Sequence, residues 1–269
     1  MQLIKILCFL LPALLVTNFM TNDMKKNTVL VCYGKMKPES IKGYHYVILE
    51  ATQYTTKDVK VFQSQNDKIF AYISLGEVNE YAAHYSELKK NTLGKNVIWN
   101  SYYLDLKSPK TIAILMGIVD EMFAKGYDGL FLDNIDNFTI HGPQKEQKEE
   151  LVELLKKIRQ KYPNKQFIQN AGLDLVAETA ASINAIAIES VATDYNFTNK
   201  KYGLRDQNHF ESQMNRLKLV NETYKIPVLL IEYSDSEQLS EQVMDRIAAS
   251  EFEYFIGNID LQHVPTFKK

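Results

Sequence analysis

Eight short apolar segments recur between residues 28 and 269, and they constrain the fold more than any other feature of the chain. Amphipathic stretches separate them, and no linker rich in proline, glycine or serine divides this range. Alternating strands and helices favour a parallel sheet, and nearly continuous apolar strands are typical of a sheet that is covered on both faces. Eight such units in succession predict an α/β fold of one (β/α)8 barrel, the TIM-barrel architecture. The predicted strands span residues 29–33, 46–50, 69–74, 129–133, 166–170, 185–189, 227–232 and 254–257.

The stretches between the strands carry boundary signals for helices. Ser108 and Pro109 stand where a helix would begin, and Gly126 follows its expected end. Ser234 and Glu237 have the spacing of a capping box, which predicts the start of the last long helix. Residues 91–107 form the longest segment without a predicted element.

Composition and motif content narrow the range of functions. The formal net charge is -2 and no long basic run exists, so the chain lacks the basic surface of a nucleic-acid-binding protein. The two cysteines, Cys8 and Cys32, give neither a disulfide framework nor a metal-ligand spacing, and the five histidines form no zinc-binding pattern. Phosphate-binding glycine loops and the GxSxG motif of serine esterases are absent from the sequence. We therefore predict no cofactor, no metal and no nucleic-acid partner.

The first residues have the character of a targeting segment. Lys5 precedes an apolar run over residues 6–16, which is too short to span a bilayer comfortably. Such a run is typical of the hydrophobic region of a signal peptide. We predict a signal peptide or an N-terminal anchor over residues 1–26 and the barrel domain over residues 27–269. The protein is thus expected to be exported, either secreted or periplasmic, or held at the membrane by that anchor.

Polar side chains stand at the end of nearly every predicted strand. A parallel barrel brings the carboxyl ends of all its strands to one face, where barrel enzymes place their active sites. Any one of these residues alone could be a surface loop residue or a helix N-cap, but five acids in eight positions favour one acidic cup. The residues at the strand ends are Glu50, Glu77, Asp133 with Asp136 close behind, Asn170, Glu189, Glu232 and Asn258.

An acidic cup is compatible with three functions, which the residue pattern leaves open. Oxygen ligands could hold Mg²⁺ or Ca²⁺ for a metal-dependent hydrolase. Two carboxyl groups could instead cleave a glycosidic bond, one as an acid and the other as a nucleophile or base. A barrel that binds carbohydrate without turnover would carry the same cup.

Five sequence blocks resemble a known family. They are AYISLGEVNEY (71–81), Trp99 followed by YYLDLKSP (102–109), GYDGLFLDNID (126–136), FIQNAG (167–172) and IAIESVATDYN (186–196). Together and in this order they resemble glycoside hydrolase family 114, the endo-α-1,4-polygalactosaminidases and their bacterial and archaeal relatives. The third block is the most specific of the five.

The resemblance implies a (β/α)8 barrel that cleaves an α-linked galactosamine or N-acetylgalactosamine polysaccharide internally and with retention of configuration. By the same resemblance, Asp133 is the nucleophile and Glu189 the general acid/base. Retention requires the two carboxyl groups to lie about 5–5.5 Å apart, and the acid/base needs a raised pKa. The context Glu189-Ser190-Val191 is closer to the prokaryotic relatives than to the fungal members.

The remaining predicted site residues are assigned to the substrate. Glu77 and Asp105 are expected to contact sugar hydroxyl or amine groups, with Glu77 as the reserve member of the catalytic pair. Trp99 is expected to close the groove from the segment 91–107, although simple packing is the alternative for every aromatic residue. The full predicted substrate-binding set is Tyr33, Tyr72, Glu77, Trp99, Asp105, Asp136, Asn170, Tyr195 and Tyr233.

Overall fold

The structure is a computed structural model, which describes residues 28–267, so the predicted leader over residues 1–26 lies outside the described part of the chain. The strands are β1 (Val29–Cys32), β2 (Tyr46–Glu50), β3 (Lys68–Ser74), β4 (Glu77–Asn79), β5 (Thr92–Asn96), β6 (Ser101–Leu104), β7 (Gly129–Asp133), β8 (Gln166–Asn170), β9 (Ala185–Glu189), β10 (Thr193–Asn196), β11 (Lys201–Leu204), β12 (Val228–Tyr233) and β13 (Glu253–Gly257). The α-helices are α1 (Thr56–Gln63), α2 (Tyr85–Leu88), α3 (Pro109–Ala124), α4 (Lys148–Lys161), α5 (Val176–Thr179), α6 (Gln207–Tyr224) and α7 (Glu237–Ile247). Within residues 28–267, no helix has the length and apolar character that crossing a membrane requires.

The eight predicted strands form one parallel sheet, which confirms the (β/α)8 prediction. The strand order is β1-β2-β3-β7-β8-β9-β12-β13, and each predicted boundary lies within one residue of the observed one. At the seam between the first and last strands, the Thr28 hydroxyl donates to Glu253 Oε2 over 2.7 Å, and His45 Nδ1 lies 2.9 Å from Glu253 Oε1. The ring is thereby nearly closed, and the carboxyl ends of all eight strands surround one mouth.

Close packing fixes the position of β7, which carries Asp133 at its end. Gly129 begins this strand, and a Cβ atom there would lie 2.2 Å from the backbone oxygen of Gln166 and 2.5 Å from the ring of Phe70. Phe70 and Phe131 are fully buried on the neighbouring strands β3 and β7. Only glycine therefore allows β7 to approach both of its neighbours at this point.

The two predicted helix starts have different outcomes. Ser108 caps α3 by accepting a hydrogen bond from the backbone N–H of Thr111, with Pro109 at the first helical position, as predicted. The capping box predicted for Ser234 is wrong, because Ser236 caps α7 by accepting from the backbone N–H of Leu239. The hydroxyl of Ser234 instead donates to the carbonyl oxygen of Ser236 and shapes the turn before the helix.

Two small antiparallel sheets rise from the strand ends at the mouth. β4, β6 and β5 form a three-stranded sheet in the connection after β3, and β10 pairs with β11 in the connection after β9. The expectation that residues 91–107 lack regular structure is therefore wrong, since β5 and β6 lie within them.

Candidate active site

One amide joins the two carboxylates at the centre of the mouth. Asn170 Nδ2 donates to Asp133 Oδ1 over 2.8 Å and to Glu189 Oε1 over 2.6 Å. These two oxygens therefore cannot be farther apart than the two hydrogen bonds placed end to end. The three residues end the adjacent strands β7, β8 and β9, so the barrel brings together side chains that are far apart in sequence.

A tyrosine completes the hydrogen bonding of each carboxylate. The Tyr72 hydroxyl donates to Asp133 Oδ2 over 2.8 Å, and the Tyr233 hydroxyl donates to Glu189 Oε2. The ring of Tyr33 lies against that of Tyr72, with 4.6 Å between the centroids. Burial, and then the nearby charges of Asp133 and Glu189, raise the pKa of Tyr33 well above its ordinary value. The three tyrosines thus stay protonated, and two of them act as fixed hydrogen-bond donors.

The surroundings of Glu189 favour the neutral form of its carboxyl group. Glu189 keeps an exposed edge toward the cup, while protein atoms crowd the rest of its carboxyl group. Burial raises the pKa of Glu189, and the charge of Asp133 raises it further, whereas the hydrogen bonds from Tyr233 and Asn170 oppose the shift. A raised pKa favours the protonated form of Glu189, which is the form that an acid catalyst needs.

Asp136 is the third acid in the cup. It lies in the short 3-10 turn Ile135–Phe138 that follows β7, and its side chain is exposed at the mouth. Burial of part of the carboxyl group and the charge of Asp133 raise its pKa. Asp136 therefore adds a third carboxyl group to the cup without joining the hydrogen-bonded pair. Within residues 28–267, no three His, Cys, Asp or Glu side chains are grouped so that they could hold a metal ion.

The same backbone turn follows each of the three strands that carry the cluster. Asn134, Ala171 and Ser190 come directly after Asp133, Asn170 and Glu189, and they adopt the left-handed conformation with φ of 60°, 61° and 55°. A left-handed residue other than glycine is uncommon and costs conformational energy, so its repetition at three adjacent strand ends is informative. The turn redirects the chain at once and leaves each preceding side chain at the rim of the cup.

Glu232 stands at a strand end but does not enter the cup. It is fully buried and accepts hydrogen bonds from the backbone N–H groups of Val191, Ala192 and Thr193, at 2.9–3.0 Å, and from the Thr193 hydroxyl at 2.6 Å. Burial raises the pKa of Glu232 to about 7, although these hydrogen bonds favour the ionised form. Its contacts hold the segment that follows Glu189, a role that the strand-end pattern did not reveal.

Glu77 is placed differently from its predicted role. Its side chain is 7% exposed, and its carboxylate accepts hydrogen bonds from Asn137 over 2.8 Å, from Asn96 over 3.2 Å and from the Ser101 hydroxyl. With its oxygens occupied in this way, Glu77 holds the three-stranded sheet against the turn after β7. Within residues 28–267, Glu77 makes no hydrogen bond to either member of the Asp133–Glu189 pair, and its predicted substrate contact stays a prediction.

Asp105 also lies apart from the cup. Its Oδ1 accepts hydrogen bonds from the backbone N–H of Lys107 over 3.0 Å and from Gln147 Nε2 over 2.8 Å. These contacts fix the turn that leads into α3. The predicted substrate contact of Asp105 stays a prediction.

An aromatic row links the two small sheets across the mouth. The ring of Trp99, at the tip of the β5–β6 hairpin, meets that of Phe197 at the tip of the β10–β11 hairpin, edge to face, with 5.4 Å between centroids. Phe197 contacts Tyr195, and Tyr195 contacts Tyr202 on the opposite strand of the same hairpin. Trp99 and Tyr195 were predicted site residues, whereas Phe197 and Tyr202 were missed. Phe197 lies two residues after Tyr195, and Tyr202 pairs with Tyr195 across the hairpin; these relations become evident only once the hairpin is known.

A parallel barrel that holds two carboxylates on one bridging amide at its mouth has the architecture of a barrel glycoside hydrolase. The chain belongs to glycoside-hydrolase family GH114, whose model matches residues 22–269. Among curated proteins, none matches the sequence.

Solved structures share the fold. The glycoside hydrolase domain of PelA from Pseudomonas aeruginosa is 25% identical with a TM-score of 0.79, over 89% of this chain and 97% of that chain. Ega3 from Aspergillus fumigatus, in complex with galactosamine, is 14% identical with a TM-score of 0.69, over 90% of this chain and 94% of that chain. An α-amylase from Geobacillus thermoleovorans is 10% identical with a TM-score of 0.51, over 81% of this chain and 61% of that chain.

Proposed function

We propose that this glycosidase is an endo-acting, retaining hydrolase of an α-linked polysaccharide of galactosamine or N-acetylgalactosamine. The observation that carries the proposal is the Asn170 amide, which donates to Asp133 and Glu189 together. Two carboxyl groups that accept from one nitrogen lie close together, which favours the narrow separation of about 5–5.5 Å that a retaining mechanism uses. An inverting mechanism needs a wider gap, because a water molecule must fit between the carboxylate and the sugar.

The proposed reaction has two steps. Asp133 attacks the anomeric carbon while the Glu189 carboxyl proton passes to the glycosidic oxygen, so the bond to the leaving sugar breaks as a bond to Asp133 forms. Glu189, now ionised, takes a proton from water, and the water oxygen displaces Asp133 from the anomeric carbon. The Tyr72 hydrogen bond orients the nucleophile, and the crowding that raises the pKa of Glu189 favours the protonated form of the acid.

The proposed amino-sugar substrate is supported by charge and by similarity. The carboxyl groups of Asp133 and Asp136 make the cup acidic, which complements the ammonium group of a deacetylated amino sugar. Ega3, whose structure contains galactosamine, shares the fold over most of both chains. Internal cleavage and the α-linkage are carried over from the family as part of the proposal.

We also propose that residues 1–26 direct export. A polysaccharide of a biofilm, capsule or wall lies outside the cell, so its hydrolase must leave the cytoplasm. Sequencing the N-terminus of the protein recovered from culture medium and periplasm tests this. Recovery in the cytoplasm alone would contradict it.

The decisive experiment compares the two carboxyl variants on defined polymers. Asp133→Asn and Glu189→Gln are expected to lower turnover of partially deacetylated poly-galactosamine by at least about 10³-fold, because each removes a group that makes or breaks a bond. Products are read by mass spectrometry, alongside a panel of other glycans. Circular dichroism and thermal unfolding serve as the control for folding.

Three results would contradict the proposal. Turnover near that of the natural protein in either variant would remove that residue from the mechanism. Binding of the polymer by the natural protein without any cleavage would make the chain a carbohydrate-binding barrel instead. Loss of activity in a chelator, restored by added metal, would favour the hypothesis of a metal-dependent hydrolase.

A further inference from the structure

A groove leaves the cup on the side of strands β2 and β3. It begins at Tyr33 and Tyr72, which line both the cup and the groove, and it encloses a cavity of about 550 Å³. Pockets of roughly 300–1,000 Å³ bind ligands of the size of a short oligosaccharide. The cavity is therefore large enough to hold more of a sugar chain than the unit at the carboxylate pair.

The groove has two walls of different origin. One wall is the short turn after β2, Ala51–Gln53, which Glu50 fixes by accepting hydrogen bonds from the backbone N–H and the hydroxyl of Thr52. The other wall is the segment from β4 to the start of α2, where the backbone N–H of Tyr81 donates to Asn79 Oδ1. Both walls are held by local hydrogen bonds, so the groove is formed before any ligand binds.

The floor and the rim differ in chemistry. Leu115, Ile118 and Met122 of α3 give the floor an apolar surface. Polar side chains border it, among them His84 and Glu121, which lie 3.4 Å apart across its outer end. A sugar ring has apolar C–H faces and polar hydroxyl edges, so an apolar floor between polar rims matches both.

Tyr81 stands at the rim with its ring in solvent. Its exposed fraction is 91%, which means that the ring contributes almost nothing to the core. A large aromatic ring at the edge of a cavity, on a turn that is fixed by a hydrogen bond, is well placed to stack on a ligand at low entropic cost.

We propose that this groove is a secondary saccharide-binding site, which holds the polysaccharide on one side of the cleavage point, with Tyr81 as its stacking residue. The inference rests on the proposed function, and it adds the path of the polymer and the residues that select for chain length. Its continuity with the cup through Tyr33 and Tyr72 is the reason for choosing the substrate itself as the occupant.

The test fills the groove without altering the carboxylate pair. Ala83→Trp places an indole in the groove, and Tyr81→Ala removes the stacking ring. We measure kcat/KM for partially deacetylated poly-galactosamine and for an aryl galactosaminide that occupies the cup alone. The ratio of the two values is expected to fall about ten-fold in Ala83→Trp and about three- to ten-fold in Tyr81→Ala, mainly through KM for the polymer.

Matched controls lie far from the groove. Ala248→Trp adds the same bulk to an exposed turn after α7, and Tyr224→Ala removes a tyrosine at the end of α6. Both are expected to leave the ratio unchanged. A ratio within two-fold of the natural value in Ala83→Trp and Tyr81→Ala would overturn the groove assignment, although the proposed function would stand. If the natural protein cleaves neither the polymer nor the aryl galactosaminide, the proposed function itself is overturned.

Discussion

Asn170 shows how one residue can set the relation between two acids. Its amide nitrogen gives both hydrogens to carboxylates, and its Oδ1 is buried without a hydrogen-bond partner among residues 28–267. A flipped amide would turn that oxygen toward two negative charges, so the carboxylates themselves determine its orientation. The free-energy cost of holding Asp133 and Glu189 close together is that Asn170 Oδ1 stays buried without a hydrogen bond in the described part of the chain.

Asn170→Ala is expected to lower kcat/KM by about 10²–10³-fold, because it removes a fixed donor from both carboxylates. The hydrogen bond from Asn170 lowers the pKa of Glu189, so its loss raises that pKa further. Since Glu189 acts first as an acid, activity falls as pH rises through this pKa, and the alkaline limb of the kcat/KM profile should move to higher pH. Tyr233→Phe, which removes the other donor to Glu189, should move the limb in the same direction. A limb that moves to lower pH in both variants would contradict the assignment of Glu189.

The sequence predicted which acids stand at the strand ends better than it predicted which of their side chains point into the cup. Asp133, Asn170 and Glu189 end their strands as predicted, and the barrel brings them together. Glu232 was predicted to enter the cup but does not, because β12 ends at Tyr233, one residue later than predicted. Successive side chains point to opposite faces of a strand, so this single residue exchanges Glu232 for Tyr233 at the cup.

At the scale of elements, the hairpin β10–β11 depends on a buried acid. Glu232 accepts three backbone N–H groups from the residues that lead into β10, and Thr193 connects it to β12 by accepting a hydrogen bond from the backbone N–H of Tyr233. Buried backbone N–H groups need an acceptor, and the Glu232 carboxylate supplies it for these three. The hairpin is thereby fixed next to Glu189.

Glu232→Gln is expected to lower the free energy of unfolding by about 1.5–3 kcal/mol, because an amide group replaces an acceptor oxygen and leaves buried N–H groups unpaired. Amide hydrogen exchange should rise in residues 191–204 more than elsewhere. Asp194→Asn is the matched control on the same hairpin, since the ion pair of Asp194 with Arg205, at 3.7 Å, is exposed and contributes little to stability. Equal exchange in the two variants would contradict the anchoring role.

The two hairpins mark the limit of sequence-based prediction at this scale. Strands β10 and β11 are short, and most of their residues are exposed or half-buried, so the apolar pattern that identified the barrel strands is absent. Their turns also lack the usual glycine signal, because Asn100 and Lys200 take the left-handed position at the two tips. Tertiary contacts between the tips replace these local signals.

At the scale of the whole molecule, stability and chemistry lie at opposite ends of the barrel. The contacts of Glu253 with Thr28 and His45 join the first and last strands at their amino ends, whereas the carboxylate pair lies at the carboxyl ends. In barrels of this kind the amino-end face serves stability and the carboxyl-end face serves catalysis. Closure and activity can therefore be perturbed separately.

Glu253→Ala is expected to lower the free energy of unfolding by about 1–3 kcal/mol, because two hydrogen bonds across the seam are lost. The kcat on polymer substrate should stay unchanged at temperatures below the transition. Urea unfolding followed by tyrosine fluorescence measures the first quantity. Glu153→Ala, on the exposed side of α4, is the control, and a loss of stability as large in that variant would argue against a special role for the seam.

The left-handed turns after β7, β8 and β9 also bear on how such a barrel can diversify. The proposed nucleophile, the bridging amide and the proposed acid/base end three neighbouring barrel strands, and the same left-handed turn follows each of these strands. Loops on the other five barrel strands can change in length or sequence without disturbing these three turns, provided that Glu77 and Glu232 keep their contacts with the segments after β7 and β9. A lineage could thus trade one sugar preference for another while inheriting its chemistry intact.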